Sequence, residues 1–275
     1  MTLNKDAGSI LLIGGFSSKH GFSNTLLEYS LSEKVWATFK TETDGDEYFE
    51  PFGLYGHSTV YHSPTRSFYI YGGIVYYNKD DMEISNKLFA LHYPSKTWST
   101  VSIYSYQAHP NPYHLHELSS VRDPKPHQSI YHSSVTSDRY MAIIGGQQTR
   151  NGKERASKEP VVSIYIYRCR LWVNIYDDSP IVHLMRGEID FTIAGSAGID
   201  QKGKVYMMGG ISQTYGVTRD SMIRMDLPED SCGLYSSSKN THICKTTLGC
   251  AHCSISDGKG TNSTFCYSND LAKVL

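Results

Sequence analysis

The sequence is short of the features that mark most functional classes. No apolar run approaches the roughly 18–20 residues that a membrane-crossing helix needs. The opening Met1-Thr-Leu-Asn-Lys-Asp carries no apolar segment of the secretory type, so an extracellular location would make this chain a piece of a longer protein. The formal net charge is only −1, which gives no global pull toward nucleic acid or an anionic membrane. No nucleophile–base–acid set emerges: Gly195-Ser-Ala-Gly198 falls short of Gly-x-Ser-x-Gly. Tryptophan occurs only three times in 275 residues, and five of the six cysteines crowd between Cys232 and Cys266.

What is present is a repeat. Four apolar runs end in a glycine pair: Ser9-Ile-Leu-Leu-Ile-Gly-Gly15, Arg66-Ser-Phe-Tyr-Ile-Tyr-Gly-Gly73, Arg139-Tyr-Met-Ala-Ile-Ile-Gly-Gly146 and Lys204-Val-Tyr-Met-Met-Gly-Gly210. The pairs Gly14–Gly15, Gly72–Gly73, Gly145–Gly146 and Gly209–Gly210 suit positions of positive φ or close backbone approach. They end strands rather than open helices, so they are not phosphate loops. After a polar loop a second apolar run leads to tryptophan. Tyr29 and Trp36, Leu91 and Trp98, and Tyr165 and Trp172 are each seven residues apart, while the same count from Met225 reaches Cys232. β-branched and aromatic residues broken by turn residues make each unit four strands, with the indole free to fill a wedge between adjacent sheets.

This pattern resembles the kelch repeat, with His57-Ser58 and His132-Ser133 fitting the first strand, Gly195-Ser196 lacking the histidine, and no recognisable first strand in the first unit. The resemblance implies an all-β fold: a partial kelch β-propeller of about four four-stranded blades, followed by a small disulfide-rich C-terminal module. The blades occupy 1–228, in units of about 8–40, 56–103, 127–176 and 194–227, and the module 229–275. Kelch rings usually hold six or seven blades, so missing blades are expected upstream. Unclosed ends would expose strand edges. His57 and His132, at equivalent places, suit a structural hydrogen bond rather than catalysis.

Strand alternation sorts the connections onto two faces. Short turns such as Pro64-Thr-Arg66 and Ser137-Asp-Arg139 share one. The long connections 41–55, 74–86, 104–126, 147–160 and 211–220 share the other, and connections of that length are usually functional or disordered. That face is expected to bind a protein partner through Asp44, Asp46 and Glu47 in an acidic run, Tyr76 and Tyr77, and Arg150, Lys153 and Arg155 in a basic one, charge patterning that favours encounter and selectivity. Ordinary solvated loops are the plainer reading of these runs.

Cys232, Cys244, Cys250, Cys253 and Cys266 lie in a Ser/Thr/Gly-rich segment with little core, which needs crosslinks or a metal. Disulfides are favoured over zinc, because only one short-spaced pair, Cys250-x-x-Cys253, is present. The segment resembles the plexin–semaphorin–integrin module, with Cys250-Ala-His-Cys253 in place of Cys-Gly-Trp-Cys. Five is odd, so a partner lies elsewhere, and Cys169 reads as a free thiol. Asn262-Ser-Thr264 is a glycosylation sequon.

Kelch units running into such a module, across Asp226-Leu-Pro-Glu-Asp-Ser-Cys232, resemble attractin and the multiple-EGF-like-domain transmembrane proteins. That resemblance implies a non-enzymatic, protein-binding ectodomain fragment of a cell-surface receptor or adaptor in signalling, extracellular, without cofactor, nucleic-acid partner or membrane insertion by this segment. A cytosolic kelch substrate adaptor is the alternative. A copper-dependent propeller oxidase is a weaker one, since His109-Pro-Asn-Pro-Tyr-His114-Leu-His116 has no second ligand cluster beside it.

Overall fold

The computed structural model describes residues 1–42, 53–78, 81–101, 128–148, 162–167, 171–175, 192–212, 216–218, 222–226, 250–256 and 262–268. Among these, every regular element except the short turn Ser63–Thr65 is a strand.

Four antiparallel sheets follow one another along the chain. The first contains Thr2–Asn4, Ser9–Ser17, Gly21–Ser30 and Val35–Thr38, each hydrogen-bonded to the next. The second contains Ser58–His62, Ser67–Tyr71, Leu88–His92 and Thr97–Thr100. The third contains Ser133–Thr136, Tyr140–Ile144, Val162–Ile166 and Leu171–Ile175. Ser196–Ile199, Lys204–Met208 and Met222–Asp226 make the fourth. This is the expected partial propeller.

Two features depart from the sequence reading. The first unit does have an opening strand, Thr2–Asn4, which pairs with Ser9–Leu11 and extends the unit upstream of residue 8. The long connections also hold sheet of their own. Gly53–Tyr55 pairs with Ile74–Asn78, which turns back as Asp81–Ile84. Ser129–Ile130 pairs with Gln147–Gln148, and Thr192–Ile193 with Ile211–Ser212. The long-loop face therefore carries a second tier of β structure, which positions the side chains considered below.

Register explains how the sheets stack. Side chains alternate between faces along a strand, so one parity of each run meets the following sheet and the other parity the preceding one. Leu11, Ile13 and Leu26 of blade one are buried with Tyr61, Phe68, Ile70, Phe89 and Leu91 of blade two. Val60, Tyr69, Tyr71, Leu88 and Ala90, the other face of blade two, are buried with Met141, Ile143, Tyr165 and Trp172 of blade three. Sheets apolar on both faces are what such sandwiching demands.

The tryptophans follow this order. Each sits on the face turned to the preceding blade. Trp98 packs partly buried in the first of these clusters, and Trp172 is wholly buried in the second, 5.1 Å from the Tyr71 ring. Trp36 does not fill a wedge: it is 50% exposed. Its sheet has no preceding neighbour among the described residues, and Ile10, Leu12, Leu27 and Tyr29 on the same face are only half-buried.

The glycine pairs sit where chains cross. All eight have positive φ. A Cβ on Gly72 would lie 2.7 Å from the Ser129 carbonyl oxygen, in the chain entering the next blade. One on Gly73 would lie 2.6 Å from the His57 nitrogen, just before its own blade's first strand. The pair is a crossing point that excludes side chains.

Beyond the blades, Cys250–Ser256 pairs with Asn262–Ser268 as a hairpin. Cys253 stands opposite Phe265, Cys266 opposite His252, and Cys250 opposite Ser268, so no two of these cysteines face each other directly. Cys169, Cys232 and Cys244 lie outside the described residues.

Unequal burial of the indoles gives a direct expectation. Replacing Trp172 with alanine should cost about 3–5 kcal/mol, as for a large buried aromatic. The same change at Trp36 should cost less than about 1 kcal/mol. Urea denaturation of both variants measures the difference; equal losses would contradict the stacking order.

Candidate functional site: an aromatic cluster on the long-loop face

Five rings from three successive blades meet on the long-loop face. Phe16 and Phe22 come from the extended hairpin of blade one, Tyr55 and Tyr76 from the second-tier sheet of blade two, and Tyr131 from the entry to blade three. Phe16 and Phe22 contact edge to face at 5.2 Å, and Phe22 stacks on Tyr76 at 5.5 Å with planes 21° apart. Tyr55 stands 5.7 Å from Phe16, 6.0 Å from Phe22 and 5.5 Å from Tyr131, the last at 88°. These are the offset and T-shaped arrangements that ring quadrupoles prefer.

Local backbone makes the convergence possible. Gly53 leaves room for its neighbours, since a Cβ there would lie 3.0 Å from the Phe22 Cβ and 3.4 Å from the Tyr76 Cβ. Tyr131 has φ +57°, the left-handed region, which is rare for a bulky residue. Gly56 at φ +68° and Ala194 at φ +58° occupy the same place in their blades, so the fold requires this conformation there. Two hydrogen bonds hold it: the Tyr131 N–H donates to the Gly56 carbonyl at 2.8 Å, and the Ala194 N–H donates to the Tyr131 carbonyl at 2.8 Å. Where the second unit uses glycine, the third keeps a tyrosine and bears the strain. Strain of this kind, typically about 1–3 kcal/mol, concentrates at functional sites.

The cluster is open to solvent on one side. Phe16 is 54% exposed, and the four other rings are half-buried. A hydrogen bond between the Tyr55 and Tyr131 phenols, aided by burial, pushes the Tyr131 hydroxyl up to about 12. The Tyr131 phenol therefore stays neutral in any physiological buffer. The surface offers ring faces and fixed hydroxyls without charge, a composition typical of the energetic centre of protein interfaces.

One residue along the chain from Gly56 and Tyr131 stand His57 and His132. Nδ1 of His57 is sealed from solvent without a hydrogen-bond partner, while the equally sealed ring of His132 lies against the backbone of Tyr71 and Ser129, which suits the structural hydrogen bond expected there. Burial pushes His57 down to about 4. Burial, with the neighbouring His57 adding to it, pushes His132 down to about 3, against an opposing pull from the backbone of Tyr71 and Ser129. Both are neutral structural groups at the hub, and neither is poised for acid–base work near pH 7.

Of the residues expected on this face from sequence, Tyr76 belongs to the cluster. Tyr77 is the next residue of the same strand, Ile74–Asn78. Asp44, Asp46, Glu47, Arg150, Lys153 and Arg155 lie outside the described residues, as does the stretch from His109 to His116. Phe16, Phe22, Tyr55 and Tyr131 were not anticipated. Their signal was available in the repeat, because Phe16 directly follows a glycine pair and Tyr131 stands where the second unit has Gly56. Among the described residues no group of three or more His, Cys, Asp or Glu could hold a metal, and no helix is long and apolar enough to cross a membrane.

Stacked four-stranded sheets, glycine crossings and indoles seated on the preceding blade define a kelch-type β-propeller, here carrying an aromatic upper face. The chain belongs to the Attractin/LZTR1 beta-propeller family, whose pattern matches residues 1–223. It is similar to the Multiple epidermal growth factor-like domains protein 8 of Mus musculus, at 28% identity over 250 residues, covering 89% of this chain and 8% of that protein. It is likewise similar to the Homo sapiens protein of that name, at 25% identity over 292 residues, covering 89% of this chain and 9% of the relative. The chain thus spans less than a tenth of these relatives' length.

The hub histidines yield a pH dependence with a defined sign. Unfolded, each titrates near its ordinary 6.5; folded, each resists protonation until about 4 or 3. Their contribution is whole above pH 6.5 and is lost as the pH falls below it, by up to about 1.4 kcal/mol per pH unit for each histidine. Urea midpoints should drop between pH 7 and 4.5, and His132→Gln should flatten that slope. A midpoint unchanged across the interval would contradict the buried-neutral assignment.

Proposed function

We propose that this chain is a non-enzymatic, protein-binding portion of the ectodomain of a larger cell-surface receptor or adaptor in signalling, and that it engages its partner through the long-loop face. The observation that carries this reading is the solvent-open cluster of Phe16, Phe22, Tyr55, Tyr76 and Tyr131, assembled by three blades at the cost of a left-handed tyrosine. Membership of the family, and relatives whose name includes epidermal growth factor-like domains, support placement within a multidomain protein. Asp44, Asp46, Glu47, Arg150, Lys153 and Arg155, in the long connections, would supply charge that sets selectivity, with Tyr77 adding a further aromatic contact. Further blades upstream in a longer chain would seat on the Trp36 face. No residue here is assigned a catalytic role or a cofactor.

The cysteine segment belongs to the same proposal. Cys232, Cys244, Cys250, Cys253 and Cys266 form disulfides of a plexin–semaphorin–integrin-like module, with one partner cysteine elsewhere, and Asn262 carries a glycan. Secreted from cultured cells, the chain should show protected thiols at these cysteines by non-reducing mass spectrometry and a mass loss on deglycosylation. Free thiols with bound zinc would favour the cytosolic alternative.

Binding is tested by proximity labelling on intact cells with the folded chain as probe. Phe16→Ser with Tyr76→Ser, or charge reversal at Asp46 and Arg155, should reduce the labelled cell-surface set by more than about tenfold, since losses of 2 kcal/mol or more are expected at interface centres. Charge reversal in the short turns, at Glu33 or Lys202, should leave it unchanged. If the short-turn variants lose more, the face is wrongly assigned.

A further inference from the structure

The second-tier sheet of blade two runs in the order Gly53–Tyr55, Ile74–Asn78, Asp81–Ile84, which makes Asp81–Ile84 its outer strand. The Ser85 N–H donates to the Gly73 carbonyl at 2.8 Å. Continuing that register, Ile74 stands opposite Ile84, Val75 opposite Glu83 and Tyr76 opposite Met82. Hydrogen-bonded and non-hydrogen-bonded pairs alternate in an antiparallel ladder, so Val75 and Glu83 are a bonded pair and the pairs on either side are not. The N–H and C=O groups of Met82 and Ile84 therefore point away from the sheet, and among the described residues no strand or main-chain hydrogen bond meets them. This edge adjoins the aromatic cluster. Opposed residues of a non-bonded pair share a face and lie closest together, which puts Met82, 63% exposed, beside Tyr76 on the side where Tyr76 stacks on Phe22. Glu83 lies on the other face, with its carboxylate 3.1 Å from the Lys87 Nζ. Edges are commonly closed to other chains by lysine or proline. This one starts after a bulge at Tyr76–Asn78, but Asp81-Met-Glu-Ile84 holds neither residue and presents a thioether at its centre.

We propose that the Asp81–Ile84 edge accepts an extended segment of a partner protein as a fourth strand of this sheet. The proposal rests on the long-loop face being the binding face, and it names what that face takes. Main-chain groups supply the attraction and alternate side chains the selection, as in other strand additions. Residues of one parity in the added strand lie beside Met82 and reach toward the Tyr76 ring, a surface that suits isoleucine, valine or an aromatic residue. Residues of the other parity lie on the side of Glu83 and Lys87, which suits polar groups. The partner chemistry is thus an alternating apolar and polar stretch of about four to six residues, the usual length of a strand. It must be unpaired before binding, because a strand inside a sheet has no main-chain groups left to offer.

Random linear peptides, displayed and selected on the folded 275-residue chain, test this. Met82→Pro removes one outward N–H and leaves the ladder to Ile74–Asn78 whole, since that ladder does not use it. Met82→Val keeps the edge. Selected peptides should alternate apolar and polar residues and bind Met82→Val. By fluorescence anisotropy they should bind Met82→Pro more than about tenfold more weakly, from a lost main-chain bond and the crowding of the ring. N-methylation of a selected peptide gives a second arm. Methyl groups on one parity of residues face the edge and should abolish binding, whereas those on the other parity face solvent and should change it by less than about threefold. Equal losses for both parities overturn the proposal, because side chains alone would then hold the peptide. So do unchanged binding to a Met82→Pro variant of unchanged urea midpoint, and a selection that enriches nothing. Should Met82→Pro lower the midpoint, the N-methyl pair decides. Dimers of the chain that Met82→Pro dissolves also overturn it, since a second copy would then occupy the edge. Cell-surface labelling that falls with Phe16→Ser and Tyr76→Ser but survives Met82→Pro leaves the face assigned and overturns strand addition, so the two proposals fail separately.

Discussion

The structure depends on sheets that are apolar on both faces and stacked in chain order. A strand's two-residue period makes this possible with a short sequence: in Ser67–Tyr71 one set of side chains joins blade one and the other joins blade three. Among the described residues the buried clusters join neighbouring blades. Stability comes from the clusters between neighbours, so each blade is held by the burial its neighbours provide, as in other repeat architectures. Exposed apolar side chains on the outer faces of the first and fourth sheets, Leu3 and Trp36 on one and Met208 and Met222 on the other, follow the same rule, since neither face has a neighbouring blade among the described residues.

The hub follows from the stacking. Bringing the innermost strands together forces chains across one another, and a side chain at Gly72 or Gly73 would strike a backbone there. Successive blades are also tied by main-chain bonds from Tyr131 to Gly56 and from Ala194 to Tyr131. That left-handed position tolerates glycine or alanine in two blades, and in the third it holds a ring. The aromatic cluster is therefore a by-product of the hub geometry that this chain has turned outward.

The repeat and the strand order were legible in the sequence because they are local signals: a glycine pair after an apolar run, and a tryptophan seven residues beyond an apolar residue. Thr2–Asn4 was not, since three residues with one apolar member show no period. Ile74–Asn78 reads as loop in the sequence because glycines precede it and polar residues follow, although its Ile-Val-Tyr-Tyr content suits a strand. Tyr76 is legible in the sequence as a long-connection residue, but the other rings of the cluster are not. Phe16, Tyr55 and Tyr131 are far apart in the chain and meet only when three blades stack, and no spacing rule within one unit encodes that. The unequal burial of Trp36, Trp98 and Trp172 was hidden for the same reason: the three share a motif and differ only in what precedes their blade.

Acrylamide quenching of single-tryptophan variants tests the stacking order most directly, because the chain has only three tryptophans. Measured at a concentration where the chain is monomeric, with the other two indoles replaced by phenylalanine, quenching should be strongest for Trp36, intermediate for Trp98 and weakest for Trp172. Equal quenching at all three, or the strongest quenching at Trp172, would contradict the account.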